Sequence, residues 1–315
     1  MICQTPPKFH DADLAGVPFL AIFTDLLNTE HGRCFFSIPE VNAHLKFIFD
    51  TYSEMLESPI SLKHMNSEEG GWFSPAALKR VDYSDFHCDP SAPHYGFKSW
   101  HDWFIREFKD EKRPFNNDEN EIIHNSESYP YVLSHNLQWK EKFWLKDQKY
   151  ALSEIFDANN MSEKEQEYFK KHFIGGTIYQ GFLNPWCYHR WRAPVSGIIE
   201  KCYSAGHSYF VSNPNLDRSF KENYIHSQPM LSMVSARQIY IIKADNPLIG
   251  RVCCVEIGMA EVSGIKNFVK EGQRINKGDL LGHFRFGGSS HAVIFDNKAS
   301  NLRFNPAIYE RNFNK

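Results

Sequence analysis

The stretch EGQRINKGDLLGHFRF, residues 271–286, runs directly into Gly287-Gly288-Ser289-Ser290. Apolar residues alternate between Gly272, Gly278 and Gly282, which is the pattern of short strands separated by tight turns. The paired glycines then allow backbone conformations closed to other residues, at a point flanked by strands. Taken alone, Gly287 to Ser290 reads as a glycine bulge or turn.

Similar punctuation extends upstream. From Gly176 to Phe295 the chain is short β-branched or aromatic runs broken by Gly, Pro and Asn. Ile239 to Ile242, Val252 to Ile257 and His291 to Phe295 are examples. This predicts a β-rich domain of roughly 200 residues. Residues 271–286 also resemble the hairpins of lipoyl-like and biotinyl-like β-sandwiches. Residues 1–95 read differently. Val17 to Leu27 is apolar at helical spacing. Val41, Leu45, Ile48, Phe49, Tyr52 and Leu56 give a 3-4 spacing behind Pro39, which suits a first helical turn. Ser74-Pro75-Ala76-Ala77 predicts an N-cap with proline at the first helical position. Ser99 to Phe108 predicts a short amphipathic helix. The expected class is α+β, with a helical N-terminal domain, 1–95, ahead of a β-rich domain, 96–315.

Composition removes several function classes. The formal charge of −3 excludes a strongly basic nucleic-acid binder as the default. The longest apolar stretches, such as Ala15 to Phe23 with its Gly16 and Pro18, fall short of the ~18–20 residues of a membrane helix. The first sixteen residues carry acids and prolines and have neither a signal-peptide nor a transit-peptide pattern. Seven cysteines, an odd number with no C-x-x-C pair and with Cys253 beside Cys254, predict reduced thiols in a cytoplasmic protein.

Three segments carry chemistry. The first is the glycine–serine site. The second is Tyr188-His189-Arg190-Trp191-Arg192-Ala193-Pro194. The third is Phe97 to Phe115, with Trp103-Phe104-Ile105-Arg106 leading to Arg113-Pro114. Singly, each has a plain structural reading: a turn, a stacked surface, an amphipathic helix. Together they resemble the phosphatidylserine decarboxylase family of pyruvoyl enzymes. That family has a Y-H-R-x-H-x-P segment and an F-x-x-G-S-T processing site, matched here by residues 188–194 and by Phe284 to Ser290 with one extra glycine. Lys146, Tyr150 and Leu152 look like its K-x-x-x-Y-x-L stretch. Ile257-Gly258-Met259 and Val262-Ser263-Gly264-Ile265 look like its paired glycine-containing strands. The helical N-terminus, Gln180 to Asn184 and the G-G-S-S form resemble the soluble branch that decarboxylates free aromatic amino acids, the L-tryptophan decarboxylases of psilocybin-pathway type.

The resemblance implies a phosphatidylserine-decarboxylase-like catalytic domain with a lipoyl-like β-sandwich, and a self-made cofactor. No ordinary side chain is an electron sink for decarboxylation. Ser289 Oγ would attack the Gly288 carbonyl, and elimination would cut the chain into a β chain, 1–288, and an α chain, 289–315. The new terminus would be a pyruvoyl group derived from Ser289, with no metal and no pyridoxal phosphate. It would hold an amino-acid substrate as a Schiff base and release CO₂. Tyr188, Phe286, Gly258 and Met259 are the implied substrate-binding residues, and no integral membrane or nucleic-acid partner is implied.

Two positions depart from the family's Asp–His–Ser triad. Glu127, in His124-Asn125-Ser126-Glu127-Ser128, would stand for the aspartate. Arg192 stands where the family has its base. A guanidinium stays protonated and cannot accept the serine proton, though it can stabilise an oxyanion. A tight Arg192–Glu127 pair is expected, with His189 the nearest remaining imidazole by sequence. Slow or absent self-cleavage follows, with Arg192→His expected to speed it. Three classes stay open: a pyruvoyl-dependent amino-acid decarboxylase, a phosphatidylserine decarboxylase, and an uncleaved binding protein.

Overall fold

The computed structural model describes residues 5–10, 18–140, 150–211, 227–262, 264–286, 289–306 and 308. Helices gather at the N-terminus. α1 spans Pro18–Leu27, α2 Glu30–Ser37 and α3 Pro39–Glu57. Thr29 caps α2 by accepting the Gly32 N–H, and Pro39 opens α3 as its spacing predicted. α3 buries Leu45, Phe49, Tyr52 and Leu56, the predicted apolar stripe.

Two shorter elements differ from expectation. Ser74 Oγ does accept the Ala77 N–H, but only a single 3₁₀ turn, Ala77–Lys79, follows. The helix predicted over Ser99–Phe108 is α4, Trp100–Phe104. It stops because the Arg106 guanidinium is buried against the Phe86 and Trp103 rings and donates to the Trp186 carbonyl. The chain then runs extended, and Phe108 bridges to Phe86. α5 (Leu152–Ile155), α6 (Glu163–Phe173) and α7 (Gln228–Val234) complete the helices named here. α6 starts in a Ser162–Glu165 capping box.

Ten described strands form two antiparallel sheets. They are β1 Tyr129–His135, β2 Thr177–Leu183, β3 Arg190–Arg192, β4 Gly197–Ala205, β5 Arg237–Ala244, β6 Arg251–Ile257, β7 Ile265–Asn267, β8 Arg274–Ile275, β9 Leu280–Phe284 and β10 Ser289–Phe295. The large sheet runs β1-β2-β10-β6-β5-β4-β8 and the small one β3-β9-β7. The α+β class holds. The glycine-rich stretch 271–286 is not one hairpin, however. β8 extends the large sheet beside β4, while β9 is the centre of the small sheet. Gly278, at φ +88°, turns the chain from one to the other. The Trp191 indole N–H donates to Tyr240 Oη at 3.3 Å, joining the sheets.

β2, β10 and β6 lie at the middle of the large sheet. They are buried on both faces, as strands covered twice must be, with Gln180, Glu256, Ser290 and His291 set among apolar neighbours. Cys253 and Cys254 point to opposite faces of β6, both buried, and the described cysteines are all free thiols. The helices join the same core: Tyr52 of α3 meets Phe286 edge-on at 5.1 Å. No described helix is long and apolar enough to cross a membrane.

Candidate functional site

Ser289 opens β10, where its Cα pairs with Leu183 of β2. Ser290 pairs with Phe182 on one side and Ile257 on the other. Gly258 and Met259 follow Ile257 directly, so the register brings them to the start of β10. Gly287 and Gly288 lie outside the described residues, as do Lys146 and Ser263. Ser290 is fully buried and donates to the Gly181 carbonyl at 3.0 Å while accepting from Gln180 Nε2 at 2.9 Å. Tyr150 Oη reaches Gln180 Oε1 at 2.5 Å. Gln180 and Tyr150, both from stretches singled out by the sequence, therefore hold one end of β10.

Period-2 alternation puts positions 289 and 291 on one face of the sheet. His291 stands opposite Gly181 on β2 and Glu256 on β6. Its Nε2 lies 2.7 Å from Ser128 Oγ. His124 packs edge-on against it, with ring centroids 5.0 Å apart, and itself bonds the Ser126 carbonyl. Asn125 Nδ2 donates to Glu256 Oε1 at 2.7 Å. Burial pushes the Glu256 carboxyl well above its usual range, so it is protonated at neutral pH. Burial, with His124 alongside, pushes His291 well below 6.5, so it is a neutral imidazole. His291 Nδ1, Glu256 Oε2, Asn125 Oδ1 and Asn184 Oδ1 are buried with no hydrogen-bond partner among the described residues. Unpartnered buried polar atoms are costly, and they cluster where a protein does chemistry.

A cleft of about 850 Å³ reaches the His124, Asn125 and Ser128 side of this cluster, while His291 and Glu256 are buried behind that wall. His124, Asn125, Ser128, Tyr179, Tyr188 and Arg192 are among its walls. The segment 123–125 runs beside 192–194: Arg192 N–H donates to the Asn125 carbonyl and Ile123 N–H to the Pro194 carbonyl. The fold thus joins two segments that the sequence singled out far apart.

Individual site residues fall differently. Glu127 is half exposed and pairs with Arg113, at 2.7 Å from Nη2 and 3.2 Å from Nε. Arg192 donates to the Gly278 carbonyl at 3.0 Å and to Tyr188 Oη at 3.4 Å. The expected Arg192–Glu127 pair does not form, because Arg113 of the Arg-Pro motif already holds that carboxylate. His189 is buried, with Nδ1 2.9 Å from the Cys187 carbonyl and its ring stacked on Phe104 at 3.9 Å. Tyr188 lines the cleft and packs on Phe108. Phe286 is core, between Tyr52 and Trp100. Trp191 is core as well, against Phe284.

Sequence reasoning missed His291, Glu256 and Ser128. His291 was legible from parity alone, two residues after Ser289 in a predicted strand. Glu256 was not, because only the β6–β10 register brings it to the site.

Comparison with known proteins places the chain in a family. Residues 100–311 match the phosphatidylserine decarboxylase family, and residues 1–81 match a second family of the same description. Decarboxylase iboD of Amanita muscaria is 38% identical over 304 residues, covering 90% of this chain and 85% of that protein. L-tryptophan decarboxylase of Psilocybe cubensis is 36% identical over 317 residues, covering 93% and 70%. A phosphatidylserine decarboxylase proenzyme of Fusobacterium nucleatum is 27% identical over 255 residues, covering 80% and 74%.

Proposed function

Because the chain belongs to the phosphatidylserine decarboxylase family and is a carboxy-lyase, we propose that it decarboxylates a free, bulky L-amino acid through a pyruvoyl group made from Ser289. The observation that carries this reading is the position of Ser289 at the head of β10, on the sheet face that carries His291 and Glu256 beside a cleft. The orphaned polar atoms of His291, Asn125 and Glu256 fit a carbonyl-bearing group and its substrate there. When formed, the pyruvoyl group supplies the electron sink that decarboxylation requires. This chain's side chains do the rest. Tyr188 and Tyr179 wall the cleft with aromatic surface suited to a bulky apolar side chain. Glu256, held protonated and bonded to Asn125, is a proton source on the same face. The names of the L-tryptophan decarboxylases support an aromatic substrate.

A second reading, a phosphatidylserine headgroup at a bilayer, rests on Ile22, Leu26, Phe35, Ile38 and Phe47, all exposed on or beside α1 to α3. One assay separates the two. The chain is incubated with tryptophan, phenylalanine, tyrosine and phosphatidylserine vesicles, and CO₂ release is measured. Release from a free aromatic amino acid supports the proposal, and release from the lipid alone overturns it. Ser289→Ala should remain a single uncut chain without activity. Full activity from that variant would remove the pyruvoyl reading altogether.

A further inference from the structure

Maturation needs a base for the Ser289 hydroxyl, and the residues expected to provide it are engaged elsewhere. Arg192 holds Gly278 and Tyr188, and it is a cation. Glu127 is tied to Arg113. His189 has Nδ1 on the Cys187 carbonyl and one face covered by Phe104. We propose that His291 is the base that matures Ser289, oriented by Ser128 through a gap that only Gly181 leaves open.

The geometry is built for that imidazole. His291 lies two residues after Ser289 on the same strand face, about 6.5–7 Å along the backbone. One ring nitrogen bonds Ser128 Oγ, and the other has no described partner. Opposite stands Gly181. A Cβ there would lie 2.2 Å from Ser128 Oγ and 2.8 Å from His291 Nε2. The glycine therefore lets the ring lie across β2 and meet Ser128. The proposal rests on the pyruvoyl reading and adds the residue that starts it.

The chemistry balances. The Ser289 hydroxyl proton passes to the imidazole as Oγ bonds to the Gly288 carbonyl carbon. The Gly288–Ser289 C–N bond breaks, and its nitrogen takes that proton back, leaving an ester. Removal of the Cα proton of residue 289 then breaks the Cβ–Oγ bond. Gly288 leaves as a carboxylate, and residue 289 becomes dehydroalanine. Water hydrolyses its imine form to the pyruvoyl group and ammonia.

Several groups face His291: Tyr179 and Gly181 from β2, Glu256 from β6, and Ser128 and His124 from the segment before β1. Burial keeps Glu256 protonated and the ring neutral. The base therefore stays competent at pH 6, where an ordinary imidazole is largely protonated.

The test follows release of the 27-residue fragment 289–315 from the purified full chain by denaturing gel and mass. His291→Ala should mature at least ~10²-fold slower, as loss of a general base does. Added imidazole should restore part of the rate. His291→Gln, which keeps a bond to Ser128 without basicity, should fold with unchanged near-UV circular dichroism and stay uncut. Gly181→Ala should slow maturation, and the wild-type rate should be flat from pH 8 to 6. Normal cutting of His291→Gln overturns this proposal and leaves the pyruvoyl reading standing. A wild-type rate that halves near pH 6.5 also overturns it. A wild-type chain that never cuts overturns both.

Discussion

Phe19 donates its backbone N–H to the buried carboxylate of Glu261 at 2.8 Å, and Leu20 donates to the other oxygen at 3.3 Å. A side chain 242 positions away thus serves as the cap of α1. It also fastens the N-terminal helices to the loop after β6, next to Gly258 and Met259.

That cap makes stability depend on pH. Burial raises the Glu261 carboxyl from 4.5 to about 7, against the smaller pull of its own backbone N–H and those of Phe19 and Leu20. A raised pKa means that the folded state holds its proton longer, so this stability is full below 4.5 and is lost as pH rises through 7. The span corresponds to roughly 3 kcal/mol. Glu261→Gln should remove the dependence. Urea midpoints of the two proteins at pH 5 and pH 8 measure it. If the gap between the two proteins does not change with pH, the carboxyl does not titrate in that window.

Ser290 is expected to serve structure and not maturation. Its hydroxyl joins Gln180 to the Gly181 carbonyl inside the core. Ser290→Ala should cost about 1–2 kcal/mol, the usual loss for such a bond. Fragment release should continue at the wild-type rate. An uncut Ser290→Ala that remains fully folded would show that the second serine takes part in the chemistry.

The fold was legible where the pattern is local. The stripe of α3 and the apolar runs of β5, β6 and β10 announce themselves, because burial sets their periods of 3.6 and 2. The ends of elements were less legible. Arg106 stops α4 only because an aromatic pocket and a distant carbonyl are there to receive its guanidinium. The site was half legible. Resemblance to the family singled out residues 188–194 and 124–128, and the fold does pack them together. The Arg192–Glu127 pair failed because side-chain pairing depends on competitors. Arg113 reaches Glu127 from a separate segment, and no spacing in the sequence encodes that distance.

Arg192 should act on substrate binding. Its charge faces the cleft, and its hydrogen bonds go to a carbonyl and a phenol. It is therefore placed to meet a carboxylate from outside. Arg192→Ala should raise KM about tenfold, ~1.4 kcal/mol, with little change in kcat. Arg192→His should mature at the wild-type rate. Faster maturation of Arg192→His would instead place residue 192 at the serine.

Phe286 links α3 to the proposed processing site. Phe286 is almost wholly buried, two residues before Gly288, with Tyr52 edge-on at 5.1 Å and Trp100 at 5.2 Å. Beside it Arg285 bonds Glu57 at 2.7 Å, but both side chains are partly in water. The two contacts should differ greatly in weight. An exposed ion pair contributes at most about 1 kcal/mol, whereas truncating a buried ring costs ~3–5 kcal/mol and each edge-on pair adds ~0.5–1.5. Phe286→Ala and Tyr52→Ala should therefore each lose ~3 kcal/mol or more, and Glu57→Ala under 1. Phe286 also lies two residues before the proposed cleavage site in the sequence. Phe286→Ala should release the 27-residue fragment more slowly than Glu57→Ala under conditions where both are folded. Denaturant midpoints and fragment release on one set of proteins measure both effects. Equal losses from Tyr52→Ala and Glu57→Ala would mean that charge, and not aromatic packing, holds α3 against the strand.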